Sequence, residues 1–262
     1  MRALADRLAD AGLDWIVPAW DAPHSVGALC TTRSGSSGSC APLDIGPARL
    51  EALDDAARER VLADRRRMQT FLPGPAVILE QVHGCDVVVI DAGNVAAARA
   101  KPPVADAAVT RLAGVPLAVR VADCVPVLLA SREGGFVAAA HAGWRGLAAG
   151  VIEATLAAMR APAADIAAWL GPAIGPDAFE VGDDVREAFA AVDERDAMHF
   201  RRQRGGKWLA DLHALARARL ARAGVRHVAA DPSCTFTEPA RFHSWRRDHT
   251  PSRFAASVWR EG

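Results

Sequence analysis

The sequence predicts a single α/β domain with a mixed β-sheet core flanked by helices, and three observations predict it. At 262 residues the chain fits one large domain or two small ones. No internal repeat and no break in composition marks a boundary, so residues 1–262 are read as one domain. Hydrophobic residues make up 51% and charged residues 24%, enough apolar material to fill a core and too much for a disordered chain. Short β-like runs alternate with helical segments, the pattern of a layered α/β architecture.

Taken in order, residues 27–32 (GALCTT) read as a strand, followed by a Gly/Ser-rich loop from Ser34 to Ser39. That loop is too short to separate a pair of domains and suits either a linker or a close approach to a ligand. Residues 47–70 carry helical spacing and many charges, as a surface helix does. Three β-rich runs follow at 76–82, 86–90 and 105–110. A long apolar run covers 116–130, and a further one covers 136–142. Leu147, Val151, Thr155 and Met159 then repeat at i+4 on one helical face, with Leu156 beside them. A buried strand leaves through a Gly/Pro loop at 165–175. A second helix is expected from Trp208 to Ala223, with Gly224 placed to end it.

Charge and cysteine content narrow the function. Lys plus Arg equals Asp plus Glu at 31 each, so nothing points to nucleic acid or to an anionic membrane as a partner. No apolar stretch approaches the ~18 residues needed to span a bilayer. The N-terminal MRALADRLADAGLDW lacks the hydrophobic stretch and cleavage site of a signal peptide. The expectation is a cytoplasmic monomer. The abundance of alanine and the excess of arginine over lysine read as a coding bias. Five widely spaced cysteines, Cys30, Cys40, Cys85, Cys124 and Cys234, form no CxxC pair, which argues against a disulfide framework or a zinc knuckle.

One constellation carries chemistry. Glu133-Gly134-Gly135 is a turn signal between two apolar runs, which predicts a hairpin. Cys124 precedes Glu133 by nine residues and His141 follows it by eight. An antiparallel pairing therefore sets the two directly or diagonally opposite, roughly 5–8 Å apart at Cβ. QVHG at 81–84 offers a third ligand, His83, at a strand end. Zinc accepts Cys sulfur and His nitrogen, and a three-ligand site leaves its fourth position to water, whose pKa falls to about 7. Singly, each residue also has a structural reading: Cys124 as a small core hydrophobe, His141 as a cap for the helix beginning at Trp144. Cys85 is a weaker ligand candidate because it lies only two residues from His83. His24, His199, His213, His227 and His249 show no ligand spacing, and His243 reads as packing. Asp123 reads as structural.

The blocks TTR (31–33), QVHG (81–84), ADCVPVLL (122–129) with AAHAGWRG (139–146), and FHSWRRD (242–248) resemble a bacterial family. It was first labelled multicopper polyphenol oxidase or laccase-like and is now described as purine nucleoside phosphorylase. Its relatives include human laccase-domain-containing protein 1, and it is also called peptidoglycan editing factor. Weaker matches are LDIG (43–46), ADAAVT (105–110), WLGPAIG (169–175) and ADLH (210–213), so the resemblance runs from about Thr31 to Arg253. It implies the cytotoxic-necrotizing-factor/laccase-domain-like form of the layered α/β fold. It also implies that His83, Cys124 and His141 bind the metal and form the catalytic centre, with zinc as the cofactor and copper as the alternative. The chain departs from the family at Asp44, Asp64, His243, Trp245 and Pro251-Ser252-Arg253, and in the loop after TTR, none of which is a ligand position.

The resemblance further implies phosphorolysis of adenosine, inosine, guanosine and methylthioadenosine to base and (deoxy)ribose 1-phosphate, and deamination of adenosine to inosine. Purine nucleosides and inorganic phosphate are then the small-molecule partners. Phosphate calls for guanidinium forks and backbone N–H groups. Arg33, Arg145 and Arg246 or Arg247 are candidates, as are the amides at the start of the helix holding Arg145. Trp144 is a candidate to stack on a base, and Gln81, on the same sheet face as His83, to contact substrate; packing explains either equally well. Three other readings stay open. Cys124 activated by His141 without metal suits an amidase acting on a cell-wall precursor. A copper phenol oxidase is weaker, because multicopper electron transfer needs more histidine clustering than eight scattered histidines supply. A binding or scaffold protein is the non-enzymatic reading.

Overall fold

The computed structural model describes residues 3–35 and 42–262. Most of the Gly/Ser loop, and Cys40, lie outside the described residues. In chain order the elements are α1 (Leu4–Asp10), β1 (Val26–Cys30), α2 (Asp55–Gln69), β2 (Val77–Ile78), β3 (Val87–Ile90), α3 (Val95–Ala100) and β4 (Ala107–Thr110). Then come β5 (Leu117–Val121), β6 (Val125–Ser131), β7 (Val137–Ala142), α4 (Trp144–Ala149), α5 (Val151–Met159), β8 (Ile166–Leu170), β9 (Glu180–Val181) and α6 (Asp183–Ala190). The chain finishes with β10 (Phe200–Arg202), β11 (Trp208–Ala210), α7 (Leu212–Arg222), β12 (His227–Ala230), α8 (Trp245–Asp248) and β13 (Phe254–Arg260).

Among the described residues three sheets result, in the orders β12-β8-β6-β7-β4-β3, β1-β13-β5-β2 and β10-β11-β9, with parallel and antiparallel pairs mixed. The central strands of the six-stranded sheet, β8, β6, β7 and β4, are buried on both faces. Val125, Val127 and Leu129 of β6 pack with Leu147, Val151 and Leu215 from the helices. The alternate residues Leu128 and Ala130 pack with Leu117, Val119 and Phe254 of the four-stranded sheet. The far face of that second sheet, through Leu29, Ala255 and Trp259, is covered by Leu8, Met68 and Phe71 of the N-terminal region. This double burial explains the near-continuous apolar runs: a strand covered on both sides has no solvent face to mark with polar residues. No described helix is long and apolar enough to cross a membrane.

The structure corrects four boundaries. The charged helix expected over 47–70 begins only at Asp55, where the Asp54 carboxylate caps the Ala57 amide at 2.8 Å. The apolar run 116–130 is two strands of different sheets, divided at Asp123, whose φ is 93°. The helix from Leu147 to Met159 is broken at Gly150 (φ 95°) into α4 and α5. The helix expected from Trp208 starts at Leu212, because the Asp211 side chain caps Ala214 and Trp208–Ala210 pairs with β9 and β10.

Candidate metal and substrate site

The Glu133–Gly135 turn closes a β6–β7 hairpin, with Val125 opposite Ala142 and Pro126 opposite His141. Cys124 immediately precedes Val125 and so falls diagonally across from His141, the second of the two registers the sequence allows. His83 arrives from the segment between β2 and β3, with φ 62°. The donor atoms of His83, Cys124 and His141 all lie within 4.8 Å of one another. Cys124 Sγ is 3.9 Å from His83 Nε2, and the two imidazole rings are edge-on, 4.8 Å between centroids. A tetrahedral zinc with bonds of about 2.0–2.3 Å separates its N and S donors by roughly 3.3–3.6 Å. The three side chains fit that ion after small adjustments.

What fixes them is Asp106, a residue the sequence reading did not single out. Its fully buried carboxylate accepts the backbone N–H groups of Val82, His83 and Gly84 at 2.7–3.1 Å and faces His141 Nδ1 at 2.8 Å. With Nδ1–H donating to Asp106, His141 presents Nε2 as the free lone pair, the arrangement by which an outer carboxylate orients a metal-ligating histidine. The same carboxylate holds the His83 loop. Burial would raise the Asp106 pKa, but the hydrogen bonds from His141, Gly84 and Val82 outweigh it and the group stays below the usual carboxylate range. The only signal in the sequence was an acidic residue opening the apolar run ADAAVT.

Electrostatics couple Cys124 to His141. Burial by itself raises the Cys124 thiol, yet the charge on His141 and hydrogen bonds from His141 and His83 pull it well below its ordinary value. Burial by itself lowers His141, yet the Cys124 charge and Asp106 raise it. Without metal the two shifts favour a thiolate–imidazolium pair; a bound metal would take the place of the His141 Nε2 proton and leave the thiolate as its ligand. Close packing completes the site. A Cβ on Gly143 would stand 2.9 Å from Cys124 Sγ and 2.9 Å from His83 Cδ2, and one on Gly146 would stand 2.6 Å from the Gly84 carbonyl oxygen. The glycines of AHAGWRG therefore let the first turn of α4 approach the QVHG turn.

The three side chains line a cavity of about 810 Å³, inside the range typical of small-molecule sites. Part of its lining is apolar or aromatic: Trp144, Ile174, Phe179, Leu212 and Trp245. Another part is basic: Arg49, Arg120, Arg145, Arg246 and Arg253. Among the expected substrate contacts, Trp144 and Arg145 line this cavity, with the Arg145 guanidinium 4.3 Å from the Trp144 ring centroid. Gln81 lines it too, but both ends of its amide are bonded to the Arg120 backbone. Arg246 reaches the cavity while donating to the Glu180 carbonyl. Arg33 lines a separate cavity and donates to Pro239. The Arg247 guanidinium is bonded to Asp248 and to the carbonyls of Thr235, Phe236 and Phe242, away from the cavity lining. Asp123 is structural as expected: its carboxylate accepts from the Thr235 hydroxyl and the Arg246 amide, tying the Cys124 turn to α8. His243 is buried and bonded to the Leu43 carbonyl.

The profile of the family described as multi-copper polyphenol oxidoreductase laccase matches residues 27–261. Purine nucleoside phosphorylase YfiH of Escherichia coli K12 is 46% identical over 246 residues, covering 93% of this chain and 98% of that protein. Purine nucleoside phosphorylase PA4543 of Pseudomonas aeruginosa is 44% identical over 94% of this chain and 98% of its own. The crystal structure of Neisseria meningitidis NMB0706 superposes with a TM-score of 0.86 at 42% identity, over 95% of this chain and all of that one. YlmD of Geobacillus stearothermophilus gives a TM-score of 0.79 at 33% identity, over 91% of this chain and 93% of that one. On sequence and on fold alike, the chain belongs to the multi-copper polyphenol oxidoreductase laccase family.

Proposed function

We propose that the protein is a metal-dependent purine nucleoside phosphorylase that cleaves adenosine, inosine, guanosine and methylthioadenosine with inorganic phosphate, giving free base and (deoxy)ribose 1-phosphate. The observation that carries the reading is one cavity in which a Cys–His–His donor set adjoins both an aromatic lining and a basic one. The names of the relatives, purine nucleoside phosphorylase, support it. Zinc held by His83, Cys124 and His141 would supply a Lewis acid. Asp106 keeps His141 in one tautomer and holds the His83 loop in place. Trp144 and Trp245 offer flat faces to a purine. The arginines offer donors to phosphate and electrostatic support as the glycosidic bond breaks toward an oxocarbenium-like transition state.

The same donor set supports deamination of adenosine to inosine as a second activity, since zinc deaminases use Cys and His ligands. The cavity carboxylates are already engaged, Glu80 by Arg49 and Asp123 by Thr235 and Arg246, which favours phosphorolysis as the main activity. A metal-free cysteine amidase also has one observation in its favour: Asp106, His141 and Cys124 stand in the order of a nucleophile triad. Multicopper oxidase chemistry fits less well, because only one convergence of three such donors exists among the described residues.

The test is to incubate metal-characterised protein with adenosine and inosine, with and without phosphate, and identify the products. Phosphate-dependent release of hypoxanthine and adenine is expected. Inosine from adenosine without phosphate reports deamination. Absence of both, in protein carrying one metal per chain, would reject the nucleoside reading.

A further inference from the structure

Beside the metal ligands lies a set of guanidinium groups whose partners neutralise them only in part. Arg120 is more than nine-tenths buried, yet among the described residues it forms no ion pair. Two of its N–H groups donate to the carbonyl oxygens of Gly46 (2.9 Å) and Leu79 (3.0 Å), and its Nε–H has no partner. Arg253 is held by the carbonyls of Thr250 and Ser252, and Arg65 by those of Ile45 and Pro47, again through neutral acceptors. Arg49 alone is paired, with Glu80 at 2.7 Å. Asp44 and Asp123 are the other carboxylates felt by this group; Asp44 Oδ1 is bonded to the backbone amides of Gly46 and Arg253, and Asp123 to the Thr235 hydroxyl and the Arg246 amide. Four guanidinium charges therefore face three carboxylates, an excess of one.

Buried charge of one sign is costly, and natural structures hold it where a ligand of the other sign completes it. The crowding is felt by Arg120 itself: burial first, then the charges of Arg65 and Arg253, push it down to about 9. Arg253 in turn lies within electrostatic reach of Cys124. Arg49, Arg120 and Arg253 all line the cavity that the metal ligands line. Gln81 gives the arrangement its rigidity: its amide donates to the Arg120 carbonyl and accepts the Arg120 N–H, so the histidine-bearing segment and β5 are clamped side by side.

We propose that Arg120 and Arg253, with Arg49 at the rim, form the subsite for inorganic phosphate next to the metal ligands. Its negative charge answers the positive excess on these side chains, and its oxygens suit guanidinium N–H donors, the unpartnered Arg120 Nε–H among them. The proposal rests on the phosphorylase reading for the role of the anion but not for its binding. It moves the anion away from Arg33 and Arg247, two of the arginines that the sequence nominates.

The test is calorimetric titration of inorganic phosphate into metal-loaded protein and into the same protein after chelation. Binding to both forms is expected. Arg120→Met and Arg253→Lys should each weaken it about tenfold or more, the second because a point charge replaces a fork. Arg33→Ala should leave it unchanged. Inosine binding, followed by tryptophan fluorescence, should move less than about threefold in the Arg253→Lys protein. Equal phosphate affinity in wild type, Arg120→Met and Arg253→Lys, each with an unaltered melting curve, would overturn the subsite. Loss of phosphate binding on chelation would overturn it too, by placing the anion on the metal. Phosphate binding that depends on these arginines, in a protein that splits no nucleoside, would sink the phosphorylase reading and keep the subsite.

Discussion

Asp106 and Arg120 are both buried charges at one cavity, and they are satisfied in different ways. Asp106 meets three backbone amides and an imidazole, so its negative charge is fully answered by the fold. Arg120 meets two carbonyl oxygens, keeps an unpartnered Nε–H, and shares its surroundings with further arginines. The Cys–His–His side is thus complete as folded, with its donors aimed and held, whereas the arginine side carries charge that the protein itself leaves over. The difference separates residues that build the site from residues that await something in it.

Breaking the metal-ligand side at its centre should have the largest effect. Cys124→Ala is expected to abolish bound metal and nucleoside turnover together while phosphate titration is retained. Metal content by mass spectrometry beside product analysis checks it, and full activity in this variant would refute the site. Next in size, Asp106→Asn keeps the shape but removes the charge that orients His141 and the His83 loop. Metal affinity should fall about 10–100-fold, the usual cost of losing an outer-shell partner, read by competition with a chromogenic chelator. An unchanged affinity would mean that the buried carboxylate serves only the fold.

Gly143→Ala alters no donor and no charge, but its methyl group would press on Cys124 Sγ and the His83 ring at 2.9 Å. Overpacking of this kind costs about 1–3 kcal/mol. Weaker metal binding and faster alkylation of Cys124 in metal-loaded protein are expected, and wild-type protection would show that the turn relaxes freely. The smallest effect lies outside the cavity lining. Burial lowers His213 below its ordinary 6.5, although its hydrogen bond with the Gly171 carbonyl opposes this. The unfolded chain then binds a proton that the fold resists, so stability should drop as pH falls through 6.5 and be unaffected above it. Urea midpoints at pH 7.5 and 5.5 should differ less in His213→Gln than in wild type. An identical difference in both would remove His213 as the cause.

Much of the metal site could be read without a structure because it depends on local pairing. A Gly-containing turn flanked by apolar runs fixes a hairpin, and counting from it brings Cys124 diagonally across from His141. The third candidate ligand, His83, came from its motif, since the segment that delivers it pairs with neither strand of that hairpin. Helix starts were misplaced where a capping side chain outranked periodicity, at Asp54 and Asp211. The run across Asp123 looked continuous because strands buried on both faces show no alternation, and only the positive φ there divides it between two sheets.

The sequence by itself determined the α/β layering, the β6–β7 hairpin, the three side chains of the candidate metal site and the family, since each is written in turn chemistry, apolar period or a contiguous motif. Tertiary structure alone decided that Asp106 would serve two histidines and that Arg120 and Arg253, not Arg33 and Arg247, would stand in the cavity. The physical reason is range: pairing and capping act over a few residues, whereas a buried charge is defined by whichever distant segments the packed sheets bring against it.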